Sequence, residues 1–445
     1  MIWLSTAVLF LVYLNAPAVA VRVHGAPFAL GALVPLALVV PVAWRVLVRG
    51  EELRFPNVLL ATALMLALHG LSAVFSVRPM ESMDALEAWL VEGLVLAWLI
   101  ANAVRTRAEV MAAAGALVAA GAVMGAIALA QQVLGPVEHP FFGFGQLDSE
   151  ISDAAGRVTR RLAGPIGETN RFAQIMAVLI PIAVGCGLAT RDRTRWLWLG
   201  AAGLVSLGML FAFSRGAIVA LALVVPFAVA FRLVRMRQVV VAGVLGVLLL
   251  FAMPHYAQRV ASLGEIALQA LGVAPGGLRN ADGAARGRLT EMKSAGLLFL
   301  DHPLLGAGPG LAPLYYEQYA GVVGGKVRTG TRRSHNLYLQ LAAETGVVGL
   351  GAFLFCVGLA FQQIDRARRR FERGDRGLWG LACGLELALM ISLTTSLFLH
   401  AAYIRYFWIL MGLVVATSVQ PGVPALAAFL SRMLRETAQR IRADA

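Results

Sequence analysis

Long apolar runs, separated by short polar or basic segments, recur along almost the whole chain of 445 residues. A helix that crosses a membrane needs about 20 consecutive and mostly apolar residues. The first run has no basic segment before it and is followed by further runs, so we interpret it as a retained helix and not as a cleaved signal peptide. The pattern predicts about twelve spans, at roughly 2–21, 28–48, 56–76, 86–104, 110–134, 171–189, 195–213, 215–232, 238–254, 336–362, 377–399 and 404–420.

The composition supports the same fold class. The chain is 59% hydrophobic and only 14% charged, and its mean hydropathy is +0.74. Soluble domains carry about 25% charged residues, so we predict an all-α, polytopic integral membrane protein. Cys186, Cys356 and Cys383 all fall in apolar runs and have neither metal-ligand spacing nor a disulfide framework. The sequence therefore indicates no metal site and no cofactor.

The short loops predict the orientation of the chain. One alternate set of loops is rich in arginine, from Arg45 and Arg105 to the dense segment RARRRFERGDR at 366–376, whereas the opposite set is sparse. Because basic residues concentrate in cytoplasmic loops, both termini are predicted to lie in the cytoplasm. The tail at 421–445 alternates apolar and basic positions at helical spacing, which predicts an amphipathic helix on the cytoplasmic leaflet, held by membrane lipids.

Two long loops lie on the predicted outer side of the membrane. Connections of this length usually carry function. The larger loop contains two helical patterns, AQRVASLGEIALQALG and RLTEMKSAGLLFLDHP, followed by the turn-forming cluster PLLGAGPG. The predicted organisation is nine spans in 1–254 with an outer loop at about 135–170, a large and partly helical outer loop at 255–335, three spans in 336–420, and the tail at 421–445.

Arginines gather on this outer side. The chain has 38 basic residues, of which only Lys293 and Lys326 are lysines. Guanidinium groups bind oxyanions with two parallel hydrogen bonds, although a biased nucleotide composition would also enrich arginine. Arg215 is the most informative, because it lies in a minimal turn between two apolar runs. There are two interpretations of Arg215. Its side chain extends to the membrane–water interface or forms a structural ion pair, or else it binds an anionic ligand.

The segment SHN at 334–336 opens the tenth predicted span. Ser334 is a suitable N-cap residue for this helix. Asn336, Gln340 and Glu344 follow at helical spacing, and such a polar stripe should face other helices or a wet cavity rather than lipid. The imidazole of His335 suits a general base at the mouth of that cavity. The alternative is an interfacial histidine at the start of a helix.

Four segments together resemble the O-antigen ligase/polymerase superfamily of bacterial envelope glycosyltransferases. They are RLAGPIGETNRFAQIMAVLIPIA, FSRGAIVALAL, RLTEMKSAGLLFLDHPLLGAGPG and SHNLYLQLAAETGVVGLGAFL, and they occur in the order typical of the family. The resemblance implies a transferase at the periplasmic face of the inner membrane. It would move O-antigen glycan from undecaprenyl pyrophosphate to a sugar hydroxyl of lipid A–core, and nucleic acid is not an expected partner.

The resemblance also implies roles for individual residues. His335 matches the histidine thought to deprotonate the acceptor hydroxyl, and Arg161, Arg215 and Arg288 match arginines that bind pyrophosphate. An activated lipid pyrophosphate as leaving group predicts a metal-independent, inverting displacement. Four neighbours are expected to support the site without an assigned role, namely Arg160, Arg332, Arg333 and Asn336.

Three other functions are compatible with parts of the sequence. An O-antigen polymerase would extend the lipid-linked glycan with the same chemistry. An O-linking protein glycosyltransferase tends to carry a larger C-terminal periplasmic domain, which the short basic tail argues against. A lipid-linked glycan transporter should place charges at mid-membrane and show inverted repeats, whereas the charges here concentrate at the predicted outer mouth.

Overall fold

The computed structural model describes residues 1–135, 140–152, 158–241, 243–244, 283–323, 330–399 and 405–420. Within these ranges the protein is mostly α-helical, with one antiparallel hairpin of strands β1 (Gln146–Ser152) and β2 (Val158–Gly164). The first helices are α1 (Ile2–Tyr13), α2 (Ala16–His24), α3 (Leu30–Leu36), α4 (Val39–Leu47), α5 (Asn57–Val74), α6 (Pro79–Ala88), α7 (Leu96–Ala103) and α8 (Arg107–Leu134). The remaining ones are α9 (Thr169–Ala189), α10 (Arg195–Phe211), α11 (Arg215–Ala230), α12 (Gly283–Asp301), α13 (Tyr316–Val323), α14 (Leu337–Phe371), α15 (Arg376–Thr395) and α16 (Arg405–Ser418).

The lengths of these helices support a polytopic membrane protein. Five of the described helices, α5, α8, α9, α14 and α15, are long and apolar enough to cross a membrane, and α1 with α2 would make a sixth as one bent span. Shorter apolar helices, including α10, α11 and α16, occupy further predicted spans. The count of twelve stays a prediction. Residues 245–254 of the ninth predicted span, the helical pattern at 257–272 and the tail at 421–445 lie outside the described residues.

The all-α prediction was wrong for one loop, because it missed the β-hairpin. Leu147 of β1 lies opposite Leu162 of β2, and Leu162 is buried. The hairpin packs one face on the start of α9, where the Asp148 carboxylate accepts hydrogen bonds from the backbone and the hydroxyl of Thr169. A short strand pair inside a polar loop leaves little trace in hydropathy, so only the packing revealed it.

Several predicted spans are interrupted. The first breaks at Asn15, which has a φ of 62° and separates α1 from α2 by a bend of 51°. The second divides into α3 and α4, which contain Pro35 and Pro41. The fourth contains a π-helix, Trp89–Val95, between α6 and α7. Hydropathy averages over such breaks, because a single polar residue such as Asn15 or Glu92 changes the mean of a long apolar run very little.

The centre of the fold is α9, which packs most extensively on α15 and also on α10. Its backbone approaches α15 closely, because an added Cβ at Gly185 would overlap the carbonyl of Gly380. Gly384 likewise faces the backbone of Pro181. Small residues that let two helix backbones come together are typical of helix packing in membranes. This tight pair holds the segments that precede α9 and follow α15 near each other.

A charged network closes the end of the bundle where α4 ends and α8 begins. Arg45 and Arg105 are both buried, and both bind Glu51, at 2.9 Å and 3.2 Å. Burial opposes ionisation of Glu51, but hydrogen bonds and charge attraction from these arginines outweigh it and lower the pKa of its carboxyl group. Two of the arginines used to predict the cytoplasmic side therefore also tie helices together.

Candidate active site

Arg161 lies on β2, immediately before the turn that leads into α9. It is buried, and hydrogen bonds to two other segments fix the guanidinium group. Nε donates to the carbonyl of Ala212 at 3.0 Å, and Nη2 donates to the side chain of Asn170 at 3.0 Å. Because Ala212 belongs to the turn between α10 and α11, these contacts place Arg161 beside the turn that carries Arg215.

Arg215 is the first residue of α11. The turn before it is sharp, since Phe213 has a φ of 52° and Ser214 is extended. The side chain is half-buried at the N-terminus of a 16-residue helix, where the first backbone amides and the helix dipole favour an anion. The ring of Phe398 packs beside Gly216, the next residue. This contact brings the start of α11 to the segment that follows α15.

His335 has an unusual backbone conformation. Its φ is 48°, in the left-handed region that a non-glycine residue rarely adopts, and such strain is often found at functional sites. Both neighbours are anchored. The hydroxyl of Ser334 donates to the carbonyl of Asn336 at 3.0 Å, and the side-chain Nδ2 of Asn336 donates to the carbonyl of Leu397 at 3.2 Å. The imidazole thus projects from a rigid turn.

The predicted N-cap was wrong by two residues. The side chain of Asn336 accepts a hydrogen bond from the amide of Leu339 at 2.9 Å and is the N-cap of α14. Ser334 instead bonds across the turn. Serine and asparagine both cap helices well, so sequence alone did not separate them. Because His335 adopts the left-handed conformation, the helix begins only at Leu337. Asn336, and not Ser334, is therefore its N-cap.

A buried carboxylate lies behind the imidazole. Oε2 of Glu291, on α12, is 3.7 Å from Nε2 of His335, and the side chain of Glu291 is 2% exposed against 27% for His335. A carboxylate in this position can orient an imidazole and stabilise its protonated form. Sequence reasoning missed Glu291. Its spacing from Arg288, one helical turn earlier, was the available signal.

Arg288 is half-buried on the same helix, α12. The i and i+3 positions of a helix lie on one side of it, so α12 carries Arg288 and Glu291 together toward the site. The far end of α12 is held by α13, because the hydroxyl of Tyr319 donates to Asp301 at 2.6 Å. Burial, followed by this hydrogen bond, raises the pKa of Tyr319 to about 12, so the phenol stays a donor.

The supporting arginines occupy different surroundings. Arg160 is exposed beside Arg161 on β2, while Arg332 and Arg333 are exposed on the segment before His335. Arg332 lines a small pocket together with Glu291. Arg333 lies close enough to Arg171 for the two charges to interact. The structure therefore brings Arg332 and Arg333 to the site, and their roles stay predictions.

The polar stripe on α14 faces the interior, as predicted. Asn336, Gln340 and Glu344 are all buried, and Gln340 Nε2 donates to the Glu344 carboxylate at 3.0 Å. Among the described residues, no three His, Cys, Asp or Glu side chains are grouped to hold a metal ion. The stripe extends the polar lining from His335 into the bundle.

Helix α14 is broken below this stripe at Gly346, where φ is 65° and ψ is −169°. The segment 303–310 fills the break. The amides of Ala307 and Gly308 each donate to a carbonyl of the first part of α14 at 2.9 Å, and the amide of Val347 donates to Pro303 at 2.8 Å. We call the contact between segment 303–310 and α14 the interlock. Segment 303–310 follows α12, which carries Glu291, and α14 follows His335, so the interlock fixes Glu291 relative to His335.

The described helices indicate a multi-pass membrane protein, and contacts between them bring Arg161, the turn before Arg215 and the segment around His335 to one end of the bundle. Residues 200–354 match the family described as O-antigen ligase, and this segment includes Arg215, Arg288 and His335. The match confirms the resemblance to the O-antigen ligase/polymerase superfamily and indicates a glycosyltransferase-like enzyme of lipopolysaccharide biosynthesis. The hairpin with Arg161 precedes the matched segment. No curated protein sequence matches the chain.

Proposed function

We propose that the protein moves O-antigen glycan from undecaprenyl pyrophosphate to a sugar hydroxyl of lipid A–core, at the periplasmic face of the inner membrane and with both termini in the cytoplasm. The observation that carries this proposal is the strained, anchored His335 with Glu291 behind it. Arg161 and Arg215, which the bundle holds at the same end, support it as sites for an anionic leaving group. The family match supports the substrate class.

The proposed reaction is a single displacement. The imidazole of His335 takes the proton of the acceptor hydroxyl, and the oxygen attacks the anomeric carbon of the glycan. The bond from that carbon to the pyrophosphate oxygen breaks, so undecaprenyl pyrophosphate leaves and the configuration inverts. Guanidinium groups of Arg161, Arg215 and Arg288 stabilise the charge that develops on the leaving group. The pyrophosphate is already an activated leaving group, so no metal takes part in this scheme.

Substituting the acceptor tests this function against the alternatives. Purified protein would be given lipid-linked O-antigen with lipid A–core, and separately lipid-linked O-antigen alone. Glycan on lipid A–core supports the proposal. Longer glycan on the lipid carrier, with none on lipid A–core, would identify a polymerase. Movement of intact donor across the bilayer of proteoliposomes, without transfer, would identify a transporter.

Truncating the arginines should impair use of the donor. We expect Arg215→Ala and Arg288→Ala each to lower kcat/KM for the donor by about 10²-fold, the usual effect of losing one preorganised donor to a developing negative charge. Lysine at either position should rescue only partly, because it cannot form the planar pair of hydrogen bonds. Arg193→Ala, at an exposed position after α9, is the matched control and should behave as wild type. Full activity of both alanine variants would exclude these arginines from the site.

Removing the charge of Glu291 should slow the chemical step. We expect Glu291→Gln to lower kcat by about 10- to 100-fold, as the loss of a partner that orients a reactive side chain typically does, while KM for both substrates is retained. In a His335→Ala background the same change should have no further effect, because Glu291 acts through the imidazole. Equal losses in both backgrounds would assign Glu291 a purely structural role.

A further inference from the structure

A pocket rich in arginine lies at the end of the bundle where α4 ends and α8 begins, away from the candidate active site. Its volume is about 550 Å³, within the range of pockets that hold small ligands. Its lining includes four arginines and two glutamates, namely Arg45, Arg49, Arg54, Arg105, Glu51 and Glu52. The proposed transfer reaction uses none of these residues.

Helix α8 shows how far the pocket lies from the candidate active site. Its N-cap, Thr106, lines the pocket, whereas Gln131, near its other end, donates a hydrogen bond to the carbonyl of Gly145, just before β1. The hairpin that carries Arg161 begins there. A helix of 28 residues is about 42 Å long, and the hydrocarbon core of a membrane is about 30 Å thick. The pocket therefore lies at the headgroup level of the opposite membrane face, which the predicted orientation makes the cytoplasmic one.

The pocket has two inner arginines that carboxylates hold and two outer arginines that are exposed. Arg45 and Arg105 are buried, and Glu51 binds both of them. Nη1 of Arg49 lies 3.7 Å from the same carboxylate, and Arg54 forms no salt bridge within the described part of the chain. Burial lowers the pKa of Arg105, and the positive charge of Arg54 lowers it further, so these two guanidinium groups repel each other.

The balance of charge favours a ligand with one negative charge. Four guanidinium groups stand against three carboxylates, those of Glu51 and Glu52 in the lining and that of Glu109, which binds Arg45. One positive charge is left over. A phosphodiester carries a single negative charge, and a planar guanidinium group binds its oxygens with two parallel hydrogen bonds. An anion beside Arg54 would also offset its repulsion with Arg105.

Exposed apolar side chains lie on the same segments as the lining arginines. Trp44 and Leu47, in the last turn of α4, are 41% and 82% exposed, and Phe55, directly after Arg54, is 55% exposed. Tryptophan is enriched at the membrane–water interface. Side chains of this kind can contact acyl chains, which a free phosphate ion lacks. These surroundings therefore favour a phospholipid as the source of the phosphodiester.

We propose that this pocket binds the headgroup of an anionic phospholipid, with Arg49 and Arg54 contacting the phosphodiester. Anionic lipids give the cytoplasmic leaflet its negative surface potential, and basic pockets between membrane helices bind their headgroups. The bound lipid joins the loop at 48–56 to the start of α8 and so closes this end of the bundle. Lipid binding here does not depend on the proposed transfer reaction at the other face.

Native mass spectrometry of the whole protein tests this site without relying on turnover. The protein would be titrated with phosphatidylglycerol, with phosphatidylcholine of the same acyl chains, and with inorganic phosphate. We expect one phosphatidylglycerol molecule to bind about tenfold more tightly than either of the others. Arg49→Gln and Arg54→Gln should each weaken its binding about fivefold, the usual contribution of one basic residue near a membrane surface. Both side chains are exposed, so these variants should fold.

The matched control is the double variant Arg191→Gln with Arg193→Gln. It removes the same charge as the double variant of Arg49 and Arg54, but from exposed positions after α9 that lie outside the pocket lining. The control should bind phosphatidylglycerol as wild type does. Equal weakening in both double variants would overturn the proposal and leave only diffuse attraction between charges. Equally tight binding of phosphatidylcholine or of inorganic phosphate would also overturn it, the first in favour of acyl-chain contacts alone and the second in favour of a general anion site.

Discussion

Replacing His335 with Ala is expected to lower the rate of glycan transfer by about 10²- to 10⁴-fold, the usual contribution of a positioned general base. The protein should remain folded and inserted, because the neighbouring side chains, Ser334 and Asn336, make the hydrogen bonds that hold the turn. The measurement is the initial rate with purified lipid-linked O-antigen and lipid A–core. Wild-type turnover by the variant would remove the proposed base.

The backbone at this position calls for a second variant. Asn tolerates the left-handed conformation better than most residues, so His335→Asn keeps the turn and removes only the base. We expect both variants to lose activity equally, while the melting temperature of His335→Asn matches that of wild type. His24→Ala is the control, since His24 bonds the carbonyl of Phe142 in the neighbouring loop and has no proposed role in transfer. Loss of activity in His24→Ala alone would point to a different histidine.

Substituting Gly346 should have the largest effect on stability. Its φ and ψ lie in a region open essentially only to glycine, and an added Cβ would overlap the carbonyl of Leu304. We expect Gly346→Ala to destabilise the protein by about 3 kcal/mol or more, seen as a lower melting temperature and yield in detergent. The cause is loss of the interlock between α14 and segment 303–310, which cannot shift without losing its hydrogen bonds.

Gly351→Ala is the matched control for this prediction. Gly351 lies on the same helix, and a Cβ there meets no atom within 4 Å. Alanine is the better helix former, so we expect an unchanged or slightly higher melting temperature. If both alanine variants were equally stable, the broken helix at Gly346 would not be a required feature of the native fold. Because the interlock also fixes Glu291, residual Gly346→Ala protein should show a reduced kcat.

The sequence predicted most of the helices near their observed places, including the minimal turn before Arg215. A long apolar run in a membrane must satisfy its backbone hydrogen bonds internally, so it forms a helix whatever its partners are. This argument does not predict where a helix is interrupted. Asn15, Gly346 and the π-helix at Trp89–Val95 lie within runs whose average hydropathy does not change, and their conformations depend on the elements packed against them.

The sequence by itself determined the membrane class, the likeness to the O-antigen ligase/polymerase superfamily and the candidate residues His335, Arg161, Arg215 and Arg288, because hydropathy and motifs are local properties of the chain. Only the tertiary structure decided that Glu291 stands behind His335 and that Asn336 caps α14. These relations join segments distant in the chain, and they depend on how α12 and the segment after α15 pack against α14. Packing of that kind is a property of the assembled helices and leaves no local signal in the sequence.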